Sequence, residues 1–520
     1  MTNKIFKGLG IILSGVCVLL ILGFVFADDI VKNRLEATIN RLPANVIFNF
    51  EDLSVNVFEG TVAVKKPELI INEEAQKTMA FHFKLQDFIL KDISFWDYLI
   101  HNKIHLTHLI LDDPEFTYVK NDSGSTNTVT KKKKGLKDFN KLVKIDSFKL
   151  NNARITIFEG TQDSVFFDTK DVNLAFNDIK FDKNTAEKTI PFEYSDYEIT
   201  TKALEFQPGA FERITLNSLK LTRNHWEVND IKLNTIYSKT ELSNKIDHER
   251  DHFTVSVHKI SLNAPEFGLE NRWFYFKTDL VEVQTPSLTI FRDKLVKDDP
   301  TVKQLYSAML RKLPFYLSLN KVQIKNGFIK YEEKVKPGKH FGEVTFEDFN
   351  AQILNLSNTY KSPVKTELDI NAVFMKTAPL HAYWTFDVNN EQDEFSFQTT
   401  IENLPAYRLN LFTENNLNVR LKGRFDKINV LINGNVDDSR FTFEAKYHDV
   451  KVTILNKRHV EDKLLTGLAN IFIHKNSKHK NNNYVEHHNR VERDKTKSVF
   501  NFLWLNVKEG LKESFINGKK

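Results

Sequence analysis

Sixteen histidines and 68 carboxylates give this 520-residue chain ample material for metal or acid–base chemistry. What matters is their arrangement. The densest histidine group is His474, His479, His487 and His488, inside HKNSKHKNNNYVEHH. A zinc site needs ligands fixed by structure and oriented by further acceptors. This run is polar and basic, lacks cysteine and offers Glu486 as its one acid, so it reads as a solvated loop. Paired acids stand at Asp112–Asp113 and Glu332–Glu333. Neighbours at a turn or strand end point apart or to solvent, which is not the facing geometry of a glycosidase pair. The sequence has no nucleophile elbow, phosphate-binding loop, HExxH or dinucleotide glycine pattern. It predicts no enzyme, no cofactor and no metal site.

Charge is nearly balanced, with 73 basic and 68 acidic residues for a net +5. Without a concentrated basic face, nucleic acid is not an expected partner. The four lysines that end NDSGSTNTVTKKKK (residues 121–134) read as part of a solvated, disordered loop. The single cysteine, Cys17, lies within an apolar run, so the rest of the chain is held without disulfides.

The elements that would position any site begin with that run. Residues 8–27, GLGIILSGVCVLLILGFVFA, carry no charge. At about 1.5 Å per residue they match a hydrocarbon core of roughly 30 Å. Leu9, Ile11, Ile12, Leu13, Val16, Val18, Leu19, Leu20, Ile21, Leu22, Phe24, Val25 and Phe26 would face lipid. Lys4 and Lys7 before it and Asp28 and Asp29 after it put the short N-terminus in the cytoplasm and the body outside. The alternative is a signal peptide cleaved after Ala27. Either way the body is exported. Residues 28–42 continue as a helical stalk stopped by Pro43.

Beyond the stalk the hydrophobic period changes from 3.6 to 2, as at Leu53, Val55 and Val57. With 43 phenylalanines against 18 glycines, the composition suits a half-buried pleated sheet. Short helices are expected after Ser94, over residues 301–313 between Pro300 and Pro314, and over 460–471.

One pattern repeats: two apolar residues at alternate positions, two polar residues, a proline or small residue, then two more alternating apolar residues. It fits Val62, Val64, Pro67, Leu69 and Ile71, then Leu109, Leu111, Pro114, Phe116 and Tyr118. It fits again at Ile260, Leu262, Pro265, Phe267 and Leu269, and at Val281, Val283, Pro286, Leu288 and Ile290. Alanine or glycine replaces proline in Phe148, Leu150, Ala153, Ile155 and Ile157, and in Val322, Ile324, Gly327, Ile329 and Tyr331. A weaker copy is Leu219, Leu221, Asn224, Trp226 and Val228. The two polar residues could form a hairpin turn. Proline directly after them cannot donate the closing hydrogen bond, so a bulged, bent strand is the other geometry. Both leave the apolar positions on one face.

The tail, residues 498–515, is amphipathic. Phe500, Leu503, Trp504, Val507, Leu511 and Phe515 form one helical stripe. It would pack over the open end of the sheet and cover its edge, or lie at a membrane or partner surface.

An apolar N-terminal segment followed by LSVNVFEGTVAVKKPEL and ISFWDYLIHNKIHLTHLILDDPEFTYV resembles the AsmA-like proteins of bacterial envelopes, the AsmA and TamB superfamily. In that family a short helix carrying tryptophan leads to a strand, a Gly-Pro or Asp-Pro turn and another strand. Trp96, Leu109, Leu111, Pro114 and Phe116 occupy those places. The resemblance covers residues 1–120, extends over 140–335 through the repeat, and thins over 340–520. The ending FNFLWLNVKEGLKESF is similar to the tails of Bacteroidetes members.

The resemblance implies a twisted β-sheet forming an open groove whose apolar face carries lipid chains between two membranes. At ~4.8 Å per strand, some 25 strands would span only ~120 Å, short of a whole envelope. The expectation is therefore a mainly β protein: an elongated, twisted antiparallel sheet or groove of repeated strand pairs, with an N-terminal transmembrane helix and a few short helices. Its expected divisions are a stub (1–7), a transmembrane helix (8–27), a stalk (28–43), a first β region (44–120), a linker (121–139), a repeated groove (140–335), a C-terminal β region (336–473), a polar loop (474–497) and a helix (498–520). It would sit in a bacterial inner membrane with its body in the periplasm, and bind phospholipid or another acyl-chain lipid, with an envelope or outer-membrane protein as a further partner. The rival is an envelope scaffold with no lipid ligand.

Overall fold

A computed structural model describes residues 45–56, 60–72, 79–92, 103–120, 142–160, 164–185, 192–270, 273–338, 340–456, 460–463, 465–466, 475–477 and 485–516. The apolar run 8–27, the stalk, Trp96, the linker 121–139, His474 and His479 lie outside them, as does half of the helix expected over 460–471. Among the described residues no helix is long and apolar enough to cross a membrane.

The described strands, 24 in number, belong to one open, mostly antiparallel sheet. Contacts divide the chain into Met1–Asn229 and Asp230–Lys520. In chain order the first unit holds β1 (Val46–Asn49), β2 (Asp52–Asn56), β3 (Thr61–Lys65), β4 (Glu68–Asn72), β5 (Met79–Lys84), β6 (Asp87–Lys91), β7 (Lys103–Asp112), β8 (Glu115–Lys120), β9 (Leu142–Glu159), β10 (Val165–Phe181), β11 (Asp196–Phe206) and β12 (Glu212–Thr222). The boundary falls inside β13 (His225–Thr235). The second unit continues with α1 (Lys239–Lys245), β14 (His252–Asn263), β15 (Glu266–Glu270), β16 (Trp273–Asp293), α2 (Tyr306–Arg311), β17 (Tyr316–Lys334), β18 (Gly342–Ser357), β19 (Thr366–Phe374), β20 (Ala378–Phe386) and β21 (Phe395–Pro405). It ends with a 3₁₀ turn (Ala406–Leu409), α3 (Asn410–Leu417), β22 (Val419–Gly434), β23 (Asp438–Ile454), β24 (Val485–Glu492) and α4 (Val499–Ile516).

The repeated pattern encodes a bend, within one strand in β9, β16 and β17 and between two consecutive strands at β3–β4, β7–β8 and β14–β15. In all six strong copies the residue just before the proline or small residue is left-handed: Lys66, Asp113, Asn152, Ala264, Thr285 and Asn326 have φ of 46°, 51°, 53°, 48°, 50° and 55°. An inserted left-handed residue shifts the side-chain alternation by one place. The apolar pair before it and the pair after it therefore stay on one face, although four residues lie between them, a spacing that in a regular strand would put them on opposite faces. The weak copy is the exception: Arg223 and Asn224 link β12 to β13 as an ordinary turn. Asx residues serve most readily at such sites, because their short polar side chains tolerate the left-handed region and bond locally.

The bends line up across neighbours. Asp113 donates its N–H to Asn151 O, and Arg154 N–H bonds Pro114 O. Asn152 N–H donates to Asn173 Oδ1, whose Nδ2 holds Asp171 O, and Asp171 is itself left-handed. The second unit repeats the device. Asn326 N–H donates to Asn350 Oδ1, whose Nδ2 holds the carbonyl of left-handed Asp348. Pairing repeats as well, since β7 and β8 lie parallel to β9 and β16 lies parallel to β17, each followed by an antiparallel partner, β10 or β18. These parallel pairs depart from the wholly antiparallel sheet expected.

Two further expectations change. The helix expected over 301–313 is confined to Tyr306–Arg311, because the preceding backbone bonds another segment: Lys303 N–H donates to Lys495 O, and Arg493 donates to Lys303 O. The polar run 474–497 contains β24, which pairs antiparallel with β23. Its charged sequence VEHHNRVE hid it, yet charge is usual on a strand with one unpaired side.

Candidate functional site

In the first unit the repeat residues make a packed core. Val62, Val64, Leu69, Leu109, Leu111, Phe116, Phe148 and Leu150 are buried, with Ile71, Tyr118 and Ile155 packed on them. Ile157 is half-buried near the end of β9.

The second unit differs. Residues directly opposite one another across a strand pair share a face of the sheet. Following the register from β14 through β16 and β17 to β18 gives apolar rungs. One is Leu262–Val281–Val322–Ile353 and the next is Ile260–Val283–Ile324–Ala351. At the bends stand the pairs Val257–Pro286 and Gly327–Phe349, and beyond them come Val255–Leu288–Ile329–Phe346 and Phe253–Ile290–Tyr331–Val344. Most of these side chains are half-buried, with Val257, Val322 and Ala351 the buried members. Phe267 extends the face on β15 opposite Phe276 and is also half-buried.

The same rungs run on into a closed core. Ile353 stands opposite Leu368, then Trp384, Phe397, Ile432 and Phe441. There α4 covers the face: Phe502 meets Phe395 at 6.1 Å, and Ser439 Oγ donates to Asn506 Oδ1 at 2.9 Å. Tyr447 O–H donates to the Ser514 carbonyl at 3.0 Å. Gly510 permits this approach, since a Cβ there would meet Phe443 side-chain carbons at 2.4–2.6 Å. Ile432 and Phe443 are wholly buried beneath it. One continuous apolar face is thus roofed over β21–β23 and half-open over β14–β18.

The roof corrects the expected stripe. The buried face of α4 is Val499, Phe502, Leu503, Asn506, Gly510 and Ser514, the expected spacing moved back by one residue. Leu503 belongs to both stripes. Phe500 and Trp504 are exposed, Val507 and Leu511 are half-buried, and the Phe515 side chain lies outside the described residues. Apolarity alone picks the wrong face, because Asn506, Gly510 and Ser514 fit their neighbours by hydrogen bonding and small size.

One end of the open face is ionic. Beyond the Phe253–Ile290–Tyr331 rung, Arg292 grips Asp251 with two bonds of 2.7 and 2.6 Å. Tyr331 O–H and Asn416 Nδ2 donate to Glu333 at 3.0 and 2.8 Å. Burial, helped by Glu333, pushes the Tyr331 hydroxyl far up, so it stays protonated and donating. On neighbouring positions Lys239 and Lys330 hold Glu332, while Lys334 and Ser243 hold Asp293. Burial would raise the pKa of both acids, but their cationic and hydroxyl partners outweigh it and keep them below the usual carboxylate range. At the other end stand aromatic residues, with Trp273 6.1 Å from Tyr316 and Phe274 6.1 Å from Phe315.

Asp112 accepts from Asn151 Nδ2 and is exposed, and Glu332 and Glu333 are bound as above. His487 lies 3.5 Å from Glu513, and His488 pairs with Glu486 and Thr442. Among the described residues no group of three or more metal-ligating side chains converges. Comparison with protein-family models and with curated proteins finds no match.

The sequence pattern pointed to much of this face: Ile260, Leu262, Phe267, Val281, Val283, Pro286, Leu288, Ile290, Val322, Ile324, Gly327, Ile329 and Tyr331. It missed Phe253, Val255 and Val257, and the β18 partners Phe346, Phe349 and Ile353. Their signal was present as alternation in FTVSV and NAQILNL, but without a proline to fit the template.

Proposed function

We propose that this chain is a non-catalytic lipid-binding protein of a bacterial envelope, holding acyl chains on the half-open face of β14–β18. One observation carries the reading. Rungs that are dry beneath α4 continue across β14, β16, β17 and β18 with the same residue types, where most of the side chains are only half-buried. A half-open apolar strip of this kind offers a surface for a ligand. An acyl chain laid along it loses water from about half its surface, so each methylene contributes about 0.4 kcal/mol, half the value for full burial. The ionic end, Asp251–Arg292 with Glu333, suits the polar end of an amphiphile.

The resemblance of residues 1–120 to AsmA-like proteins agrees with this reading, as does the uncharged run 8–27, which would tether the chain to the inner membrane with its body in the periplasm. Tethered so, the chain would support outer-envelope lipid homeostasis by binding or conducting lipids. The packed core of the first unit favours the rival scaffold reading for that part.

The test is lipid retention. Full-length protein and a variant with Val283→Glu and Ile324→Lys are purified side by side, and bound phospholipid is quantified by mass spectrometry. Lipid around residues 8–27 is common to both. Excess lipid on the unsubstituted protein supports the proposal, and equal retention with both proteins folded overturns it.

A further inference from the structure

The rotation of α4 that buries Phe502 has a counterpart on its other side. Phe500 is 61% exposed and Trp504 is 37% exposed. They are not isolated. Phe500 meets Tyr306 of α2 at 6.3 Å, and Trp504 meets Phe412 of α3 at 6.1 Å. The same elements expose Met309 (51%), Leu411 (45%) and, in the 3₁₀ turn, Tyr407 (54%). Three helices and a turn thus present one apolar, aromatic surface, and α3 meets the ionic end of the β14–β18 face through Asn416 and Glu333. Such clustering on a folded domain marks an interaction surface rather than incidental exposure.

Charge on these elements is one-sided. Glu414 is held bidentately by Arg420, Glu509 by Lys512, and Asp393 by Arg311. Among the described residues no carboxylate pairs with Lys312, Arg408 or Lys508, which stand at the end of α2, beside Tyr407, and one turn beyond Trp504. The acids are spent internally and the cations are left. Aromatic and aliphatic side chains flanked by unpaired Lys and Arg match the composition of surfaces that lie in the boundary of an anionic bilayer.

We infer that the surface formed by α2, the 3₁₀ turn, α3 and α4 docks on an anionic lipid bilayer, with Phe500, Trp504 and Met309 entering the headgroup region and Lys312, Arg408 and Lys508 meeting lipid phosphates. This stands on its own observations and does not require lipid on β14–β18. Each cation near an anionic surface contributes about 1 kcal/mol, so losing all three weakens docking about 100-fold.

The test uses the full chain with Cys17→Ser and Met309→Cys, labelled with an environment-sensitive fluorophore and reconstituted in vesicles of phosphatidylcholine alone or with phosphatidylglycerol. A label at Val165→Cys, in the first unit, is the control. The expected result is a blue shift and quenching by brominated lipid at position 309 with phosphatidylglycerol. That signal is lost with Lys312→Gln, Arg408→Gln and Lys508→Gln combined, and with Phe500→Ser and Trp504→Ser, all at exposed or half-exposed sites outside the core. Three outcomes overturn the inference: water-like emission in both vesicle types, an equal shift at position 165, or shielding that follows protein concentration without lipid. The last would assign the surface to a second copy of the chain.

Discussion

Replacing Val283 by Glu and Ile324 by Lys separates the open part of the apolar face from its roofed part. The two residues are register partners on the parallel strands β16 and β17, at the middle of the half-open surface. Both are half-buried, so each offers a ligand about half of a full aliphatic burial, about 1 kcal/mol. Losing both costs about 2 kcal/mol of binding, roughly 30-fold in affinity, before any penalty for laying a chain over charge. The fold loses little, because opposite charges on adjacent strands attract and the sites are reached by water. The change in unfolding free energy is expected to stay near 1 kcal/mol. Ile432 lies on the same face beneath α4 and is wholly buried. Ile432→Glu places a charge in a dry core and is expected to cost about 4 kcal/mol or more. The assay is titration with a fluorescent polyene fatty acid, paired with urea unfolding. An unchanged affinity in the folded double variant would refute the reasoning, as would a double variant as unstable as Ile432→Glu.

Three further changes test the supports of this face. Gly510→Ala forces a methyl group into Phe443 and should loosen α4, seen as faster amide exchange in Val499–Ile516 and as a thermal shift of several degrees. Asn350→Ala removes the acceptor for Asn326 N–H and the donor to Asp348 O at the bend, and should cost about 2 kcal/mol in urea unfolding. Burial pushes the Tyr447 hydroxyl up to about 12 from an ordinary value of 10.0. A raised folded-state pKa gives stability that is complete below pH ~10 and lost as pH rises toward ~12, about 3 kcal/mol in all. Tyr447→Phe should flatten that alkaline loss in thermal melts, and an undiminished loss would place the titration elsewhere.

Much of the architecture was legible because the apolar alternation is strong. The mainly β class and the recurrence of one strand pattern follow from positions such as Val281, Val283, Leu288 and Ile290. What the pattern meant was less legible. Pro67, Pro114, Pro265 and Pro286 suggest a turn, whereas the left-handed residue before each makes a bend in a continuing face. Sequence spacing cannot separate these cases, since both bring the same side chains to one side. The roof was misplaced for a different reason. Hydrophobicity favours Phe500 and Trp504, but close packing favours Gly510 against Phe443 and a bonded Asn506 against Ser439. Whether a face is open or covered depends on partners distant in sequence. Val62 and Val283 look alike as letters, yet one is buried in a core and the other is half-open.

The most direct measurement of the central claim is photocrosslinking of the full chain with a diazirine-bearing fatty acid, followed by peptide mapping. The account predicts label on β14, β16, β17 and β18, at or beside Ile260, Val283, Ile324 and Ile329, competed by unlabelled fatty acid. Label confined to residues 8–27, or none above background on those strands, would contradict it.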